Sequence, residues 1–152
     1  MEIPKTKSAD VSPENVRVVE FSVAQSCYGV SIDQVKEIIS ANVMVVPVPD
    51  ALPAIDGAIN LRGKILPLIN LAKFLHATDE KVGRIIISEF GQNLFGFGVS
   101  NVVKLHIVSP DDISVPTDLL QAREGYALGI AKIDRRIIYL LSLEKIARTI
   151  SS

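Results

Sequence analysis

At 152 residues the chain can fold as one domain with a real core or as two very small subdomains. Apolar residues make up 48% and aromatic residues only 5%, so the core must be built from Val, Ile and Leu, whose branching favours strands. The net charge is −1 with the signs interspersed, and few rings are present to stack on bases, which argues against a nucleic-acid partner.

Cys27 is the only cysteine, so no internal disulfide can form, and this fits a reducing compartment. It reads as a small strand residue. No apolar run approaches the ~20 residues of a membrane span. The start, Met1-Glu2-Ile3-Pro4-Lys5, lacks a signal peptide's apolar stretch. The expectation is a cytoplasmic protein that does not insert into a membrane.

Residues 1–15 are polar, carry two prolines and are expected to form a disordered tail. Residues 16–152 are expected to form the folded domain. Val16–Val23 predicts a strand, Gln25-Ser26 a turn, and Cys27–Ile32 a return strand. Ser31 with Gln34 three residues later has the form of a capping box for one helical turn. The segment Val43–Pro49 is extended, with prolines that confine it to an edge.

Next, two apolar runs flank Arg62-Gly63 within Gly57–Leu71, the pattern of a tight hairpin. Pro67 is expected near the strand end, where a missing N–H costs least. Asn70 is placed to cap a short helix through Leu71, Phe74 and Leu75. Arg84–Phe90 and Leu94–Val99 predict a second pair of strands, and Val102–Val108 an extended segment. Pro110-Asp111-Asp112 opens a turn. Residues 117–126 read as a linker. Ala127–Ile133 and Arg136–Leu141 form a further hairpin across Asp134-Arg135, and Ser142 caps a last helix.

The second half echoes the first. A shift of 67 places Tyr28-Gly29-Val30 on Phe95-Gly96-Phe97, Ile32 on Val99, Val35 on Val102, Ile38 on Leu105 and Val48-Pro49 on Val115-Pro116. A shift of 72 then places Leu61 on Ile133, Ile65-Leu66 on Ile137-Ile138, Leu68 on Leu140 and Asn70-Leu71 on Ser142-Leu143. The pseudo-repeat halves run from about 16 to 77 and 82 to 148. Each holds about five short strands and a small helix, which suggests a small closed barrel, SH3-like or OB-like, in each half. Two such barrels gain by packing along a shared apolar seam.

A catalytic constellation is hard to find. No Gly-x-Ser-x-Gly elbow occurs. His76 and His106 are isolated in sequence and read as solvated or structural. No Cys/His pairs stand at metal-ligand spacing, and Asp111-Asp112 reads as a turn. Gly96-Phe97-Gly98 lies inside a strand without the following helix a dinucleotide site needs, so these glycines read as points of close approach. No cofactor, metal or catalytic residue is expected. Arg62, at a hairpin tip, is either a solvated arginine or a guanidinium fork facing a carboxylate across a seam. Val35 and Ile38, with the intervening carboxylate of Glu37, read as core with an exposed rim.

The hairpin segment, with Gly57, Asn60, Arg62, Gly63 and Pro67, resembles the signature of the CheW-like family, coupling proteins of bacterial chemotaxis. Tyr28–Ile38 and Phe95–Val99 extend the likeness, which spans roughly Val16 to Arg148. The strand Ile87-Ser88-Glu89-Phe90 is similar to the coupling half of CheV-type proteins.

The resemblance implies a mainly all-β fold of two five-stranded SH3-like barrel subdomains on a shared core, with short helices. It implies a non-catalytic adaptor, monomeric in isolation and assembled into arrays. Its partners would be the regulatory domain of a CheA-type histidine kinase and the cytoplasmic tip of chemoreceptors. Arg62 would support coupling. Val35, Glu37 and Ile38 would line a groove for a receptor hairpin, with Val99 and Val102 on its far wall. The alternatives are an adaptor of another CheA-like pathway (pilus motility or a CheV-like auxiliary role), a nucleic-acid-binding small barrel, or an enzyme using His76 or His106.

Overall fold

A computed structural model describes residues 14–77, 81–115 and 126–151. Residues 1–13 of the expected tail and 117–125 of the expected linker lie outside the described residues. The strands are β1 (Val16–Val23), β2 (Ser26–Ser31), β3 (Glu37–Ser40), β4 (Ile55–Leu61), β5 (Lys64–Asn70), β6 (Arg84–Phe90), β7 (Asn93–Val99), β8 (Asn101–Val108), β9 (Ile113–Ser114), β10 (Ala127–Ile133) and β11 (Arg136–Leu141). Two short helices, α1 (Leu71–Phe74) and α2 (Leu143–Ser151), follow β5 and β11.

Two sheets form. The β1 sheet has the order β8-β1-β2-β11-β10-β9, and the β6 sheet the order β3-β6-β7-β5-β4. These are the two SH3-like units implied by the sequence, but the expectation that each half closes its own barrel is corrected. The hairpins are exchanged. β1 and β2 of the first half join strands of the second, and β6 and β7 of the second half join strands of the first. The exchange follows from two short crossovers. Residues 32–36 carry the chain from β2 to β3 in the other sheet, and Ser100 alone separates β7 from β8. The register obeys the repeat. Leu68 pairs in parallel with Gly96, and Leu140, its equivalent, pairs with Gly29.

Because each exchanged hairpin has a sheet interior on one face and the seam on the other, it is buried on both. On β1, Val19, Phe21 and Val23 enter a central cluster with Tyr28, Val30, Ile69, Ile86, Phe97, Leu141 and Ile146. Val18 instead enters a cluster with Ile138 and Leu140, and Ile85 and Ile87 one with Ile59, Leu66 and Leu68. A Cβ on Gly98 would lie 3.0 Å from the Val82 side chain, and one on Gly96 3.1 Å from Ile85, which accounts for both glycines by close approach.

Local differences from the sequence reading have local causes. The β1–β2 turn uses Ala24 and Gln25, both at positive φ, one residue earlier than expected. Pro67 lies mid-strand opposite Ala58. It is tolerated there because Ala58 directs both its N–H and its C=O to Val46, so no bond to Pro67 is lost. Ser31 does cap a turn, a 3-10 turn at Ile32–Gln34, by accepting from Asp33 N. Gln34 does not complete a capping box. Its Oε1 accepts from Leu143 N at 2.6 Å, at the start of α2. Asn70 and Ser142 cap α1 and α2 as expected, accepting from Lys73 N and Lys145 N.

Ile86 is fully buried in the central cluster. Ile86→Ala is expected to lower unfolding free energy by about 3 kcal/mol, read from urea denaturation.

Candidate partner-binding surface

The site is built where the β6 sheet ends. β3 and β4 are its two edges. The tip of the β4–β5 hairpin places Arg62 (φ 51°) and Gly63 (φ 90°) in the two left-handed positions of a two-residue turn. Asn60 holds the turn by accepting from Gly63 N at 2.8 Å. Arg62 then reaches across the open side of the sheet to Glu37 on β3, pairing both Nη atoms with its carboxylate. Arg62 therefore combines the two readings: it is a fork on a carboxylate, but one of its own sheet, and its side chain remains mostly exposed. Its hydrogen bonds to Glu37, aided by the carboxylate's charge, raise the guanidinium above its ordinary pKa. Lys36, just before β3, pairs with Glu89 on β6 at 2.9 Å, which lowers the Glu89 carboxyl.

Ile38 faces the seam. It stands in register with Ile86, and Ile86 with Phe97, so the three form one apolar row across β3, β6 and β7. Ile86 and Phe97 are buried, but Ile38 is 40% exposed because β3 is an edge. Val35 and Val102 are half-buried and pack on the same central cluster, Val35 within the first crossover and Val102 just past the second. Leu105, which sequence reasoning did not single out, packs there too. Val99 does not belong with them. It is 1% exposed inside the central cluster and cannot touch a partner. Its place at the end of β7, where the chain crosses between sheets, turns it inward.

A buried polar group escaped the sequence reading. Glu20 is fully buried on β1. His106 Nε2 lies 2.6 Å from its Oε1, and Arg136 donates to both its oxygens at 2.7 and 2.9 Å. Arg136 also lies 3.5 Å from Cys27 Sγ. The partners are 86 and 116 residues from Glu20, beyond any sequence-local signal. The Arg136 hydrogen bonds outweigh burial and, with His106, lower the Glu20 carboxyl to about 2, and the same ion pair raises Arg136. His76 is exposed. No group of three or more His, Cys, Asp or Glu suited to a metal occurs among the described residues, and no helix among them is long and apolar enough to cross a membrane.

The architecture defines a two-barrel module of SH3-like units on a shared apolar core. A family model described as a CheW-like domain matches residues 17–151. The chain therefore belongs to the CheW-like family of chemotaxis scaffold and adaptor proteins. It is 27% identical to the chemotaxis protein CheW of Treponema pallidum over 90% of this chain and 84% of that one. It is also 27% identical to the chemotaxis protein CheW of Thermotoga maritima, over 88% and 89%. The crystal structure of the scaffolding protein TtCheW from Thermoanaerobacter tengcongensis superposes with a TM-score of 0.77 at 30% identity, covering 84% of this chain and 89% of that one.

Two outcomes are expected. The Arg62–Glu37 pair is solvent-exposed on the arginine side, so Arg62→Ala should leave the urea denaturation midpoint close to that of the parent. Glu20 has its folded pKa below its unfolded one, so its contribution is complete above about pH 4.5 and is lost as pH falls toward 2. The loss should total about 3 kcal/mol across that window. Denaturant midpoints measured from about pH 6 downward should fall less steeply in Glu20→Gln.

Proposed function

We propose that this protein is the non-catalytic coupler between chemoreceptors and a CheA-type histidine kinase. The observation that carries this reading is Ile38. It extends a buried apolar row into solvent on the β3 side of the seam near half-buried Val35, and half-buried Val102 and Leu105 border the same central cluster from β8. A rim of this kind suits the apolar stripe of a helical hairpin such as a receptor tip. Glu37 and Arg62 set its polar border. An adaptor also needs a separate surface for its second partner. The outer face of the β6 sheet supplies one, where Val48, Leu52 and Ile65 are all exposed beside Pro67. We assign the kinase's regulatory domain to this second face and to the Arg62 hairpin tip beside it. The work is scaffolding: receptor state changes kinase activity through a coupling free energy, and several weak contacts gain from array avidity.

Titration calorimetry against a receptor cytoplasmic fragment and against a CheA-type regulatory domain, both from the same organism, tests this. Each should bind with micromolar or tighter affinity. Ile38→Asp should weaken receptor binding tenfold or more with the fold intact by circular dichroism. Arg62→Glu, which sets two carboxylates face to face, should lower receptor-coupled kinase activity. Absence of both interactions in the folded protein contradicts the reading, and undiminished receptor binding by Ile38→Asp removes the rim from it.

A further inference from the structure

The two barrels are built on one plan but differ inside. Under the repeat, Val18 corresponds to Ile85, Ile133 to Leu61, Ile138 to Leu66 and Leu140 to Leu68. These apolar positions are close in volume and distinguish the two interiors weakly. The polar cluster distinguishes them strongly. Glu20 corresponds to Ile87, His106 to Ile39 and Arg136 to Lys64, so the β6 sheet has isoleucines where the β1 sheet has an acid and an imidazole. Glu20 comes from one half of the chain, and His106 and Arg136 come from the other.

The exchanged hairpins make this difference matter. Neither half forms a complete sheet, and each contributes a hairpin to the equivalent position of the other half's sheet. Two copies of the chain therefore have an alternative: the first half of one pairs with the first half of the other, and the second half with the second. In that arrangement Glu20 would take the place of Ile87, beside Ile39 and opposite Glu37. It would lose His106 and exchange the two-pronged Arg136 fork for the single point charge of Lys64 at the equivalent position, while His106 of the other pairing would meet Ile87. Stripping a buried carboxylate of its partners is strongly unfavourable.

We propose that the Glu20–His106–Arg136 cluster sorts the two halves, admitting the β1–β2 hairpin only to the sheet built by the second half and so keeping two copies of the chain from pairing like half with like. The occupant excluded is a second copy of this chain. A single polar group inside an otherwise apolar interface is a known means of fixing which partners pair.

The test uses the full chain. Arg84 pairs with Ser40, and Arg84 corresponds to Arg17, so Arg17 of one copy would face Ser40 of another only in like-with-like pairing. Both positions are exposed. A parent carrying Cys27→Ser, Arg17→Cys and Ser40→Cys is compared with the same chain that also carries Glu20→Ile, His106→Ile and Arg136→Lys. These last three import the residues of the other barrel. Each is refolded from denaturant at roughly 100 µM, because the covalent link between halves already favours native pairing by an effective concentration near millimolar. It is then oxidised and sized.

The parent should yield monomer, and the variant at least ten times more disulfide-linked dimer, rising with protein concentration. Equal dimer yield from the two chains overturns the proposal. If the triple substitution fails to fold, Glu20→Gln in the same parent takes its place, with an increased dimer yield expected and an unchanged one overturning the proposal.

Discussion

The structure depends on the central apolar layer between the two sheets. Val19, Phe21, Tyr28 and Val30 reach it from one exchanged hairpin, and Ile86, Phe97 and Val99 from the other. A barrel of this size has too thin an interior to stand well alone. By lending its hairpin to the other half, each half turns the outer face of that hairpin into core. This is why β1 and β6 each contain four successive buried residues, Val18–Phe21 and Ile85–Ser88, where a strand with one solvated face would alternate. The polar members of these runs are satisfied: Glu20 by Arg136 and His106, and Ser88 by donating to Gln34 O at 2.6 Å.

The same exchange determines what is left on the surface. The crossovers leave β3 and β8 as edge strands, next to the seam they have just crossed. Their seam-facing apolar residues cannot all be covered, and Ile38, Val35, Val102 and Leu105 are what remain at the rim. An edge strand also invites unwanted pairing. β3 is short, and the Arg62–Glu37 pair closes the sheet across it. The repeat preserves the opposition of charge but reverses its sign, with Lys104 in place of Glu37 and Asp134 in place of Arg62. The two rims therefore present different polar borders around similar apolar residues.

Much of the fold was legible because its signals are local. Arg62-Gly63 and Asp134-Arg135 sit at the hairpin tips that the flanking apolar runs predict, and Asn70 and Ser142 cap the helices they precede. The 67- and 72-residue shifts gave the pseudo-symmetry. They could not reveal the exchange, because either hairpin satisfies the same apolar pattern, and what separates them (the crossover geometry and the long-range Glu20 contacts) is not local in sequence. Of the site, Arg62, Glu37, Ile38, Val35 and Val102 lie at the surface or rim, whereas Val99 is core. An apolar residue at a crossover has the same sequence signature whether it turns in or out. Glu20 was missed, and Gln34 was given the wrong role, for the same kind of reason, since their partners lie on the other half of the chain.

The account holds that the two sheets share one core and stand or fall together. Native-state hydrogen exchange at increasing, sub-denaturing urea tests this most directly. Slowly exchanging amides of β1 and β2 and those of β6 and β7 should converge on one common opening free energy, equal to that of global unfolding. An opening free energy lower by several kcal/mol for one hairpin alone would show that its barrel opens independently, and would contradict the shared-core account.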